Sequence, residues 1–104
     1  MRVELLWWDG CPSWPEALAQ LRGIMGELGL EPGSVELREI STDEQAERER
    51  FPGSPTIRVD GADLVATNGA PIGLACRVYR LRDGRPSPTP DPTDLREALE
   101  RSLK

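Results

Sequence analysis

Trp8-Asp9-Gly10-Cys11-Pro12-Ser13-Trp14 joins an apolar, strand-like run to an amphipathic helix. Before it runs Val3-Glu4-Leu5-Leu6-Trp7-Trp8. Val3, Leu5 and Trp7 fall on one face of an extended chain, and Leu6 and Trp8 on the other. Apolar residues on both faces predict a central strand, spanning residues 2–8 and covered from two sides. Asp9-Gly10 then turns the chain into an amphipathic helix. Its start reads in two ways. Cys11 is the N-cap with Pro12 at N1, or Ser13 is the N-cap with Glu16 closing a capping box. Pro15 fits the second frame better, because at N2 its missing N–H costs no intrahelical bond. The helix runs to about Leu28, with Ala17, Leu21, Ile24 and Leu28 on one stripe and Gly29 at C′. A cysteine at this junction lies near the positive end of the helix dipole, which favours the thiolate, though less so in the second frame.

Outward from there, Val35 to Ile40 alternates and reads as a second strand. Ser41-Thr42-Asp43-Glu44-Gln45 opens a short polar helix with an acidic first turn, anchored by Ala46 and Phe51 and ended by Pro52-Gly53. Thr56 to Val59 is a third strand, preceded by Gly53-Ser54-Pro55-Thr56 and closed by Asp60-Gly61. Residues 62–73 read as a loop. Leu74 to Leu81 reads as a fourth strand, antiparallel to the third and ending at Asp83-Gly84. Arg85 to Pro90 reads as an extended connector. Asp91 caps a last helix, with Pro92 at N1 and Leu95, Ala98, Leu99 and Leu103 on its apolar face. The order β-α-β-α-β-β-α predicts an α/β domain, a four-stranded mixed sheet with helices on both faces and the first two strands parallel.

The 104 residues suffice for a single domain, 1–104, and 38% apolar content suffices for one core. A net charge of -5 argues against nucleic acid, whose counterions are released by a Lys/Arg surface, and against anionic membranes. Arg77, Arg80, Arg82 and Arg85 are expected on a solvated edge strand. Met1 is followed almost at once by the apolar run, with no charged n-region and no cleavage site, so no signal peptide is expected. No run reaches the ~20 apolar residues of a membrane span. A cytoplasmic location follows by default, where two cysteines are expected reduced or transiently oxidised. Histidine is absent, which removes His-assisted nucleophiles and His metal ligands together.

A cysteine after the first strand and Ser-Pro-Thr before the third resemble the thioredoxin-like superfamily. Cys11-Pro12-Ser13-Trp14 looks most like the glutaredoxin branch, whose C-P-x-C follows the first strand. Gly53-Ser54-Pro55-Thr56-Ile57 with Asp60-Gly61 looks like that branch's V-P-T segment and D-G turn. Gly10-Cys11-Pro12-Ser13-Trp14-Pro15 and Gly73-Leu74-Ala75-Cys76-Arg77 are also similar to short bacterial thioredoxin-like proteins sometimes labelled alkylmercury lyase-like. The resemblance implies a cis Pro55, a conformation of about 5–6% of X-Pro bonds, with the Ser54 backbone beside Cys11, where extended substrates dock by strand-like pairing. The departure is Trp14, which stands where a C-x-x-C motif has its second thiol and cannot resolve a mixed disulfide.

The candidate site is therefore Cys11 as catalytic thiol, with Trp8, Pro12, Trp14, Ser54 and Pro55 as substrate-binding residues. Trp8 and Trp14 either wall a groove or simply pack. Asp9 beside the thiol argues instead for an inert cysteine. Cys76 is the other thiol. On a fourth strand antiparallel to the third it would start at the sheet end away from Cys11, beyond the ~7 Å Cα separation a disulfide tolerates, and would be a small buried hydrophobe. A different course of the 62–73 loop would allow a Cys11–Cys76 bond. Three functions follow: a monothiol oxidoreductase acting through Cys11 on a small thiol or protein disulfide; a non-catalytic binding module using the Trp8, Trp14 and Pro55 surface; and soft-metal or organomercurial handling. The expected cofactor set is empty, with glutathione as a co-substrate of the first function and no resident metal. The oligomeric state is left open.

Overall fold

The computed structural model describes residues 1–65 and 69–103. The chain forms β1 (Val3–Trp7), α1 (Trp14–Glu27), a 3-10 turn (Pro32–Ser34), β2 (Glu36–Glu39), α2 (Asp43–Arg48), β3 (Thr56–Val59), β4 (Ala62–Asp63), β5 (Tyr79–Arg80), β6 (Pro86–Ser87) and α3 (Pro92–Ser102). The main sheet has the order β2-β1-β3-β4. β1 is parallel to β2 and antiparallel to β3, and β3 is antiparallel to β4. It is a four-stranded mixed sheet with helices packed on it, as the sequence predicts.

The two faces of β1 separate the core. Val3 and Leu5 join Leu21, Met25, Leu95 and Leu99 on the side of α1 and α3. Leu6 joins Ile40, Ala46 and Phe51 on the side of α2. Glu4 shares the second face and is buried, its carboxylate held by Arg38 at 3.0 Å. That pairing offsets a desolvation that would otherwise expel the charge. α1 ends in a Schellman motif: Gly29 takes φ +78°, and the Leu30 N–H donates to the Met25 carbonyl at 2.8 Å. Asp91 caps α3 by accepting from the N–H groups of Thr93 and Asp94.

The second half of the chain departs from the expected order. The fourth strand of the sheet is Ala62–Asp63, a hairpin return across Asp60-Gly61, where both residues take positive φ (51° and 84°). That is the geometry of a tight two-residue turn. Residues 74–81 do not form a strand of this sheet. Only Tyr79–Arg80 is a strand, and it pairs with Pro86–Ser87 in a separate hairpin over the Asp83-Gly84 turn. The expected extended connector thus supplies a strand. Part of the expected 62–73 loop, residues 66–68, lies outside the described residues. Among the described residues, no helix is long and apolar enough to cross a membrane.

Candidate active site

The site arises from the register of β1 on β3. Leu6 lies opposite Thr56. Continuing that antiparallel register past the strand ends brings Trp8 to Ser54, and the Trp8 N–H donates to Ser54 Oγ at 3.0 Å. Gly10 makes the turn after β1 because the Trp8 indole lies across it; a Cβ at Gly10 would stand 2.3 Å from the ring. The Cys11 N–H then donates back to the Trp8 carbonyl at 3.1 Å. This places the Cys11 sulfur 3.5 Å from the Ser54 carbonyl oxygen. The Ser54–Pro55 peptide is cis, as the resemblance implied.

Cys76 is bonded to Cys11, with a Cα separation of 5.4 Å and a sequence separation of 65. This corrects the expectation that Cys76 sits on a distant inner strand. The reason is the course of residues 73–77. They run beside residues 51–54, with the Gly73 N–H donating to the Phe51 carbonyl at 3.0 Å. The Ser54 N–H donates to the Ala75 carbonyl at 2.8 Å, and the Arg77 N–H donates to the Ser54 carbonyl at 2.9 Å. Cys76 therefore pairs with Ser54 in a parallel bridge. The main-chain edge of Ser54, expected to receive an extended substrate, is occupied by the chain itself. Nor is Cys76 a buried hydrophobe: it is exposed, whereas Cys11 is 1% exposed.

Gly53 allows this approach. It holds φ +117°, and a Cβ there would stand 3.0 Å from the Arg77 backbone nitrogen. Arg77, expected on a solvated edge, is buried instead. Its guanidinium donates to Asp63 at 3.0 Å, to the Val65 carbonyl at 2.7 Å and to Thr56 Oγ1 at 3.2 Å. It also lies 4.4 Å from the Tyr79 ring centre. Burial pushes the Asp63 carboxyl up, and the Arg77 charge opposes it. Burial also pushes the Tyr79 hydroxyl up, so it stays protonated and donates to the Pro55 carbonyl. Arg77, Tyr79, Asp63 and Gly53 together position the Cys76 segment, and sequence reasoning missed all four in that role. The signal for Gly53 was present in Gly-Ser-Pro; none pointed to Asp63.

The remaining expected residues divide. Ser13 is the N-cap of α1, but it has a helical backbone (φ −91°, ψ −4°) and makes no side-chain cap bond, so the expected capping box does not form. Its hydroxyl instead lies 3.3 Å from Cys11 Sγ. Trp14 stacks on Trp7, ring centres 4.3 Å apart, on the α1 side of the sheet. Trp8 packs on the α2 side. The two indoles thus belong to opposite faces. Ser54 and Pro55 are fully buried beside the sulfurs, and Pro12 is exposed. A shallow apolar cleft of about 230 Å³ opens against Cys76, lined by Val78, Pro86 and Pro88.

Compared with known proteins, the chain matches no family model, no curated protein and no solved structure.

Proposed function

We propose that this chain is a thioredoxin-like, glutaredoxin-like protein that exchanges the Cys11–Cys76 disulfide with external thiols and disulfides. The observation that carries the reading is the placement of Cys76 against Cys11 through the Ser54–Cys76 bridge. It supplies the second sulfur that Trp14 takes away from the first turn of α1. The monothiol scheme expected from Cys11-Pro12-Ser13-Trp14 becomes a dithiol scheme with a remote partner. The cis Ser54–Pro55 peptide beside the disulfide and the parallel β1–β2 pair support the thioredoxin-like assignment. The co-substrate is a small thiol such as glutathione, and the substrate a protein or small-molecule disulfide.

The test is equilibration of the native protein in glutathione redox buffers, with the thiols counted after acid quench and alkylation. A reversible two-electron transition is expected, at a potential above about −300 mV, the range of exchangeable rather than structural disulfides. Cys11→Ser and Cys76→Ser should each abolish turnover of a small disulfide substrate. Reduction only after denaturation would refute the reading.

The same pairing favours a second reading. Once reduced, two thiols held this close form a two-coordinate site for a soft ion such as Hg²⁺. Stoichiometric Hg²⁺ binding lost in both single Cys variants supports it, and unchanged binding in either removes it.

A further inference from the structure

The two sulfurs are not equivalent, and their difference assigns the direction of exchange. We infer that external thiols attack Cys76, and that Cys11, which precedes the first helix, is the buried partner that leaves and later resolves. The inference rests on the disulfide-exchange reading above and adds the roles within it.

Access is the first observation. Exchange needs an incoming thiolate in line with the S–S bond, on the far side of the sulfur attacked. Cys11 is 1% exposed. The Ser54 carbonyl lies 3.5 Å from its sulfur and the Ser13 hydroxyl 3.3 Å. Cys76 is exposed and lines the open cleft with Val78, itself 66% exposed.

The fate of the leaving electron pair is the second, independent observation. Attack on Cys76 makes Cys11 the departing thiolate. The Ser13 hydroxyl, free of any capping bond, stands within reach to donate to that sulfur. Charge-assisted bonds of this kind are the stronger ones, and a stabilised leaving thiolate speeds exchange. α1, 14 residues long, starts three positions after Cys11, so its positive end adds a smaller term of the same sign.

The step balances as follows. A thiolate R–S⁻ forms a bond to Cys76 Sγ, the Cys11–Cys76 bond breaks, and the electron pair passes to Cys11 Sγ. A second R–S⁻ attacks the R sulfur of the mixed disulfide, releasing R–S–S–R and the Cys76 thiolate. The protons of the two thiols end on the two cysteines. Two external thiols are oxidised and one disulfide is reduced. In the opposite direction the Cys76 thiolate opens a substrate disulfide, and the Cys11 thiolate attacks Cys76 Sγ to expel the substrate thiol.

The experiment is early-time trapping. Oxidised native protein is mixed with glutathione, quenched with N-ethylmaleimide and digested with trypsin. Cys11 falls in the peptide 3–22 and Cys76 in the peptide 59–77, so the two adducts separate. Glutathione on Cys76 and maleimide on Cys11 are expected, in about tenfold excess over the reverse, because access selects the sulfur. Ser13→Ala should slow the first step several-fold without moving the adduct. Glutathione on Cys11, or an even split, overturns the inference and leaves the exchange reading standing. A native protein that shows neither an adduct nor a free thiol at either cysteine overturns both.

Discussion

Reducing the Cys11–Cys76 bond in the wild-type protein opens a covalent loop whose ends lie at a sequence separation of 65, and the size of the effect follows from that length. In the chain-entropy account, a cross-link of this span removes enough freedom from the unfolded chain to stabilise the fold by about 4 kcal/mol. A domain of this size holds roughly 5–15 kcal/mol in all, so the reduced protein should remain folded but lose a large share of its stability. The apolar clusters that β1 builds on its two faces do not include Cys76, so both survive reduction. The assay is guanidinium unfolding followed by tryptophan fluorescence, on oxidised and reduced protein, with Cys76→Ser as a control that cannot reoxidise. The expected loss of about 4 kcal/mol corresponds to a fall in Tm of roughly 15 °C. By the thermodynamic cycle, the same free energy is the preference of the fold for the disulfide over that of the unfolded chain, about 90 mV at ~30 mV per 1.4 kcal/mol. A difference below about 1 kcal/mol would rule out a stabilising cross-link of this kind. It would mean that the native state disfavours the bond nearly as much as loop closure favours it.

Three further outcomes follow from the surroundings of the pair. Gly53→Ala places a Cβ at φ +117° and 3.0 Å from the Arg77 backbone; it should cost about 1–3 kcal/mol, read by urea unfolding, and an unchanged midpoint would show that the two segments separate freely. Arg77→Met leaves the Asp63 carboxylate without its buried counter-charge and should cost about 3–5 kcal/mol, most of it recovered in Arg77→Met/Asp63→Leu; a double variant no better than the single one would refute the pairing. Glu49 is bonded to Arg38 at 2.7 Å, which holds its carboxyl below the unfolded value of 4.5. A depressed folded pKa contributes stability that is present above 4.5 and lost as pH falls below it. Glu49→Gln should therefore flatten the acid limb of the stability curve by about 1 kcal/mol or less, given partial exposure, and an unchanged acid limb would count against the ion pair.

Where local rules act on contiguous residues, the chain was legible. The two-faced apolar run became β1, with Val3 and Leu5 on one side and Leu6 on the other. Ser13 as N-cap, Gly29 at C′, Asp91 at the start of α3, and Ala46 with Phe51 under α2 all stand where the pattern put them. The second half was misread because Leu74 to Leu81 carries an apolar pattern suited to a strand, and such a pattern does not say with what the strand pairs. Asp60-Gly61 offered a tight hairpin return, which Ala62–Asp63 takes. With that edge of β3 occupied, residues 74–77 pair instead with the main chain at Ser54, and Tyr79–Arg80 is left to β6.

The site was half legible for a related reason. Cys11, Ser54 and Pro55 are brought together by one antiparallel register between β1 and β3, a proximity that the resemblance implied. Cys76 reaches them through contacts that no periodicity encodes: a guanidinium buried on Asp63, a phenol bonded to the Pro55 carbonyl, and a glycine that lets two backbones touch. Each lies far in sequence from what it holds. A tryptophan in place of the second cysteine of C-x-x-C read as a loss of chemistry. It is equally what a chain can accept once a remote segment delivers its cysteine to the same sulfur, because the position after Ser13 is then released to pack against Trp7.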